Sequence, residues 1–390
     1  MGFVSASAPG KCILFGEHAV VYGHPAVAVA IEQRISVKIQ PSQTGTWLLD
    51  GSDFNMKRNP HLKALIYKLW PGKKGAPPLS IHIEGNIPRA SGLGSSAALS
   101  VASAAALRFA RGRWLKENSS ASDHNSWAEG FSSKIDDTDP YGKGDGLLDS
   151  IEDDGLMHVT GEQSVDKDEC ALLAHSVEAW AQNGRASPID SSTCSHGEIV
   201  IISDVIEDDL NFLYTRRLEM PEGKRKWQIH DMKISHTSEE VYLVIGNTGV
   251  HAPTSKQVEK VALMLEKHPS RMEEINTIGH IARRGIQALK VGDYDAVGRT
   301  MSENQIMLKS IGVSSPELDT LIKAATPSSL GAKLTGAGGG GCMIALTRNP
   351  EETSNAIELA GGRTLISKLG AQGLSINSFE DIPIWTIAKD

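Results

Sequence analysis

Apolar positions along this chain follow two periods, and each change of period marks an element. Residues 3–8 and the run Lys11-Cys-Ile-Leu-Phe15 read as short strands, with a turn at Pro9-Gly10. A second apolar run, 26–31, precedes an alternating strand over 34–40, and 46–49 and 79–83 also read as strands. Helical spacing appears over 61–69 and over the alanine-rich stretch 97–110, whose composition favours helix strongly. Over 170–183 it places Ala171, Ala174, Val177 and Ala181 on one face, with Gly184 as the stop. A strand at 198–202 and a β-meander over 212–234 follow. The second half opens on a buried-type strand, 241–246. Helices are predicted over 254–267, 272–290, 294–312 and 315–325, then a strand over 343–347. A helical period over 356–369 is weakened by Gly361-Gly362, and 374–379 reads as the last strand.

Residues 117–169 break the pattern. They are polar, acidic and rich in Ser, Asp and Gly, with too few apolar side chains to bury, which predicts disorder or a solvent-exposed insertion. Their aspartates do not have the spacing of a calcium-binding loop. The full length of 390 residues suggests two domains, expected over 1–236 and 237–390. A net charge of −8 without any basic stripe argues against a nucleic-acid partner, so phosphate groups would be met by glycine loops and single lysines. No uninterrupted apolar stretch is long enough to cross a membrane, and the first residues do not read as a signal peptide. Cys12, Cys170, Cys194 and Cys342 are scattered without a C-x-x-C pair, which fits a cytoplasmic protein with reduced thiols.

The chemistry gathers around Pro88-Arg-Ala-Ser-Gly-Leu-Gly-Ser-Ser-Ala-Ala98. A strand, a glycine loop and a helix start follow one another there. Glycines allow close backbone approach, and the unpaired first N–H groups and dipole of the helix attract anions. This stretch is either an ordinary capped helix or a phosphate site whose serines can ligate Mg²⁺. It is neither a Walker A motif nor a dinucleotide fingerprint. Three further stretches stand out. Lys11, Glu17 and His18 fall within eight residues between apolar runs. Asp190 closes the turn Ala186-Ser-Pro-Ile-Asp. Lys333-Leu-Thr-Gly-Ala-Gly-Gly-Gly-Gly-Cys342 is too glycine-rich for a helix or strand interior, which suggests a tight loop at a ligand or a domain seam.

In order and spacing, Pro9-Gly-Lys-Cys-Ile-Leu-Phe-Gly-Glu-His18, Gly92-Leu-Gly-Ser-Ser-Ala-Ala98 and Lys333 to Cys342 resemble the three signatures of the GHMP kinase superfamily: the galactokinases, homoserine kinases, mevalonate kinases and phosphomevalonate kinases. The extension Gly16-Glu-His-Ala-Val-Val-Tyr-Gly resembles the mevalonate kinases, and Ala-Ser-Pro-Ile-Asp190 resembles their archaeal form. The resemblance implies an α+β fold, a ribosomal-protein-S5-like N-terminal domain beside a ferredoxin-like C-terminal one, with the site in the cleft between them. It implies ATP-dependent phosphorylation of a primary alcohol, mevalonate being the first candidate and phosphomevalonate or a sugar the alternatives. A non-catalytic ligand sensor is the reading from a different class, and it would be expected to lack Lys11 or Asp190.

The same resemblance makes Asp190 the proton acceptor and Lys11 its catalytic partner. Glu17, His18 and Thr254 would face the substrate. Pro88, Ser91, Gly92, Leu93, Gly94, Ser95, Ser96, Ala97, Gly338 and Gly339 would cradle ATP, and Ser96 and Glu178 would hold Mg²⁺. The segment differs from the family's usual Pro-Ser-Gly-x-Asp form, and Glu178 to Asp190 is one residue longer than usual. The oligomeric state is open, a homodimer included.

Overall fold

Strand β1 (Val4–Phe15) runs straight through the Pro9-Gly10 pair that predicts a turn. The pair forms a bulge instead: the register against β2 (Ala26–Pro41) shifts between Pro9 and Lys11. A bulge tolerates the proline's missing donor. A Cβ on Gly10 would meet the Leu93 carbonyl oxygen at 2.9 Å, and the Lys11 N–H donates to that carbonyl at 3.0 Å. The bulge therefore docks β1 on the glycine loop. The long β2 joins both segments predicted over 26–40, its first half buried on both faces and its second half alternating. This structure, a computed structural model, describes residues 4–55, 58–70, 76–88, 91–118, 166–181, 186–220, 223–234 and 240–378.

Two short strands, β3 (Leu48–Leu49) and β4 (Ser52–Asp53), precede helix α1 (Pro60–Leu69), strand β5 (Leu79–Gly85) and helix α2 (Ser95–Asn118). Ala97, Ala98, Ala102, Ala105 and Ala106 of α2 are buried, and their small side chains let the helix lie close over β1 and β2. Helix α3 (Lys167–Ala181) starts inside the segment expected to be a polar insertion. Its Glu169 is buried and accepts from Arg108 of α2 at 3.0 Å, so that end of the segment belongs to the core. The rest of the expected insertion, 119–165, lies outside the described residues.

Helix α4 (Ile189–His196) stands where turn and loop are expected. The buried hydroxyls fold back on the helix. Ser191 and Ser192 donate to the Pro188 carbonyl at 3.2 and 2.6 Å, and Thr193 donates to the Ile189 carbonyl at 2.7 Å. A polar run can thus be buried and helical at once. Strand β6 (Ile199–Ser203) and the hairpin β7 (Asn211–Met220) and β8 (Gly223–Met232) complete this half. The sheet order is β4-β3-β5-β2-β6-β8-β7, with β1 beside β2.

The second sheet starts at β9 (Tyr242–Asn247), followed by α5 (Thr254–Lys267), α6 (Met272–Lys290), α7 (Tyr294–Ser310) and α8 (Pro316–Ala325). Helix α6 buries Ile275, Ile278, Ala282, Ile286 and Leu289, the spacing that predicts it. Asp293 and Ser315 cap the next two helices by accepting from the Ala296 and Leu318 N–H groups. Strands β10 (Gly331–Leu334) and β11 (Cys342–Thr347) flank the glycine loop. Helix α9 (Pro350–Leu359) and strand β12 (Arg363–Lys368) replace the single helix expected over 356–369. Gly361, at φ 94°, ends the helix, and the following residues pair with β9. The order is β10-β11-β9-β12.

The last strand, β13 (Ser375–Ser378), returns to pair with β1, although a division at 236/237 would group it with the second sheet. Thr335 ties the halves at the other end of β1: its hydroxyl accepts from the Ile13 N–H at 2.8 Å. No described helix is long and apolar enough to cross a membrane.

Candidate active site

The end of β1, the starts of α2, α4 and α5, and the loop between β10 and β11 converge on one cleft, whose empty space together with the open solvent at its mouth is about 1050 Å³. Lys11 lies at its floor. Its ammonium is 3.0 Å from Asp190 Oδ1 and donates to the Gly92 carbonyl at 3.0 Å. Lys11 is 2% exposed and Asp190 33%, so the pair has a buried cation and a carboxylate open to a ligand. Burial works against the Lys11 charge, but the Asp190 carboxylate outweighs it, and the ammonium's pKa ends above its ordinary value. An ammonium has three donors, so one is left for a ligand. The helix start presents the Asp190 carboxylate here, since Asp190 sits in the first turn of α4.

Gly92 and Gly94 take φ values of 80° and 73°, which side chains rarely adopt. A Cβ on Gly94 would come within 3.0 Å of the Lys11 side chain, so this glycine leaves room for the lysine. Ser95, Ser96 and Ala97 line the cleft at the start of α2, with Gly92 and Gly94 beside them. Three other expected nucleotide-side residues brace the loop. The Ser91 hydroxyl donates to the Pro88 carbonyl at 2.7 Å, and Leu93 is buried with its carbonyl held by Lys11.

Glu178 of α3 lines the cleft with its side chain buried. Burial, then the negative charge of Asp190, push its pKa up to about 8, while Lys11 pulls it back. A buried carboxylate held this high is short of positive charge, and a cation would supply it. The Ser96 hydroxyl is 2.9 Å from His61 Nδ1 of α1, a neighbour that spacing alone could not supply. Burial lowers the His61 pKa, and a hydroxyl that donates to a neutral imidazole keeps its lone pairs for a cation. These oxygen donors suit Mg²⁺, which is commonly held by one or two carboxylates together with substrate phosphates. Among the described residues no cluster of three or more His, Cys, Asp or Glu side chains could hold a metal unaided.

Across the cleft, His18 sits at φ 61° with its Nε2 2.9 Å from the Ala337 carbonyl oxygen. Its pKa is lowered to about 4 by burial, so the ring is neutral and its Nε2–H donates to that carbonyl. Nδ1 remains an acceptor. Glu17 lines the cleft too, but its carboxylate is committed elsewhere: Lys333 of β10 pairs with Oε1, and Asn304 of α7 donates to Oε2 at 2.9 Å. Lys333 is wholly buried and also donates to the Leu334 carbonyl at 2.6 Å. Sequence reading overlooks Lys333 and Asn304 as partners of Glu17, because they lie 316 and 287 residues away in the chain.

Thr254 starts α5 and faces both the cleft and an adjoining hollow formed by the glycine loop. Gly338 lines that hollow. Gly339 is turned away: its N–H donates to the Val313 carbonyl at 2.7 Å, and a Cβ there would strike Gln257.

The chain matches the GHMP kinases N terminal domain over residues 61–134 and the GHMP kinases C terminal domain over 286–360. The mevalonate kinase of Archaeoglobus fulgidus is 31% identical over 354 aligned residues, covering 90% of this chain and 95% of that protein. The mevalonate kinase of Thermococcus sibiricus is 29% identical, with 97% of this chain and 99% of that protein covered. Among solved structures, L. major mevalonate kinase in complex with R-mevalonate superposes with a TM-score of 0.61 at 21% identity, over 94% of this chain and 95% of that one. That last likeness shows the fold.

Proposed function

From the premise that this chain belongs to the mevalonate kinase family of the GHMP kinases, we propose that it transfers the γ-phosphoryl group of ATP to the primary hydroxyl of mevalonate, giving 5-phosphomevalonate for isoprenoid precursor synthesis. The observation that carries the chemistry is the pair of Lys11 and Asp190, 3.0 Å apart at the floor of a cleft rimmed by two glycine loops.

Asp190 accepts the proton of the attacking hydroxyl as the oxygen approaches phosphorus. Lys11 orients the hydroxyl and stabilises charge on the transferring group through its remaining N–H. Gly92, Gly94 and the first amides of α2 cradle the phosphates at a helix N-terminus. Glu178 and the Ser96 hydroxyl would hold Mg²⁺, which when bound neutralises negative charge on the phosphates. His18 offers Nδ1 to a hydroxyl of the acceptor. Glu17, held by Lys333 and Asn304, keeps the neighbouring His18 in place, and Thr254 closes the phosphate side. Burial of Lys11, Glu178 and His18 reduces solvent screening, so each charge and dipole acts more strongly than it would in water. The four cysteines are free and buried, which suits a cytoplasmic enzyme.

Incubation with ATP, Mg²⁺ and mevalonate followed by phosphorus NMR tests the reading. A new phosphomonoester signal on C5 and an equal amount of ADP are expected. ATP consumption that is independent of mevalonate would contradict it.

A further inference from the structure

We propose that Arg216, His175 and Trp227 form a buried positioning device that fixes the two walls of the acceptor end of the cleft relative to each other. Those walls are Val20 and Ala186, which both line the cleft. Val20 lies two residues after His18, and Ala186 lies four before Asp190.

Each wall is held through its backbone. Trp227 Nε1 donates to the Val20 carbonyl at 3.2 Å, and His175 Nε2 donates to the Ala186 carbonyl at 3.0 Å. The two donor rings touch edge to face, with centroids 6.3 Å apart and an interplanar angle of 89°. Behind them, Arg216 Nε donates to His175 Nδ1 at 2.8 Å. Arg216 and Trp227 are direct partners across the β7–β8 hairpin, so one rigid piece of backbone carries both. All three side chains are at most 1% exposed.

The hydrogen bonds fix the imidazole's tautomer. Nδ1 receives an N–H and must carry a lone pair, so the ring proton is on Nε2, facing Ala186. Burial and the neighbouring guanidinium push the His175 pKa down to about 3, so the ring stays a neutral donor. Apolar side chains could fill the same space. A polar set buried this deeply costs desolvation, and here the Trp227 and His175 N–H groups point at two cleft-lining carbonyls. Val20 and Ala186 sit on the segments that carry His18 and Asp190, and Trp227 and His175 donate to these segments rather than to the 92–96 or 336–341 loop. The device therefore acts on the acceptor alcohol. It rests on the mevalonate reading only for the choice of assay substrate.

The experiment measures KM for mevalonate and for ATP, with the thermal midpoint, in Trp227→Phe, His175→Leu and His175→Gln. Trp227→Phe keeps an aromatic ring and loses the N–H to Val20. His175→Gln keeps an N–H for Ala186, and His175→Leu does not. Mevalonate KM is expected to rise about tenfold in Trp227→Phe and His175→Leu, with ATP KM within about twofold of wild type and most of the loss recovered by glutamine. An unchanged mevalonate KM in Trp227→Phe, or an equal rise in both constants, overturns the proposal. Wild-type turnover is read first, since its absence would remove the substrate assignment. In that event amide exchange decides: faster exchange in Trp227→Phe over 19–22 without change over 92–96 supports the device, and no local change overturns it.

Discussion

Replacing Asp190 by asparagine removes the proton acceptor and keeps the size of the side chain. Turnover should fall by about 10²–10⁴-fold, while the stabilisation given by ATP stays as in wild type. Steady-state kinetics and thermal shift with ATP measure the two effects, and wild-type turnover would take Asp190 out of the mechanism. Lys333 makes a different prediction, because its role is to match a buried charge. Lys333→Met leaves the Glu17 carboxylate buried without its cation and should cost about 3–5 kcal/mol in urea unfolding. Adding Glu17→Gln should restore part of it, and a single variant as stable as wild type would show that the pair carries little. Asp190 and Lys11 are legible in sequence because each sits in a short motif. The partner of Glu17 is not, because a salt bridge between residues 17 and 333 leaves no mark on either neighbourhood.

Among elements, the regular helices of the second half are plain from their apolar period: the predicted 254–267 and 272–290 are the observed ranges. The elements misread are those where a local signal meets a tertiary partner. Pro9-Gly10 has the chemistry of a turn, yet Leu93 claims the backbone there and makes it a bulge. Ser191 to Ser195 has the composition of a loop, yet burial and back-bonded hydroxyls make it a helix. The glycine loop at 92–94 was legible in type, and its geometry adds a prediction. Gly94→Ala would strain a φ of 73° and press on Lys11 at 3.0 Å. It should lower kcat by tenfold or more and stability by about 1–2 kcal/mol. Kinetics beside denaturant unfolding separate these, and an unchanged kcat would show that Lys11 has room to spare.

In the molecule as a whole, the two sheets meet at one seam, and the candidate site lies in the cleft there. The sequence suggests two halves, but not that β13 would cross back to β1 or that Thr335 would bond to Ile13, since pairing between distant strands has no local signature. Stability should respond to acid through two buried histidines, His18 at the seam and His175 behind one wall of the cleft. His18 and His175 have folded-state pKa values of about 4 and about 3, below the ordinary 6.5. A depressed histidine binds its proton first in the unfolded chain. The stability it confers is thus complete above pH 6.5 and is lost as pH falls from there toward 4. The thermal midpoint should drop over that window, and the drop should be smaller in His18→Gln, whose amide can still donate to Ala337. Equal slopes in the two proteins would contradict a neutral, buried His18.

The alcohol that accepts the phosphoryl group defines the reaction proposed for this chain. Purified protein with ATP and Mg²⁺ is offered mevalonate, phosphomevalonate, homoserine and galactose in parallel, and ADP release is followed by a coupled assay. Mevalonate should give saturable turnover well above the other three. Turnover that favours another alcohol, or none above the background without acceptor, would contradict the account.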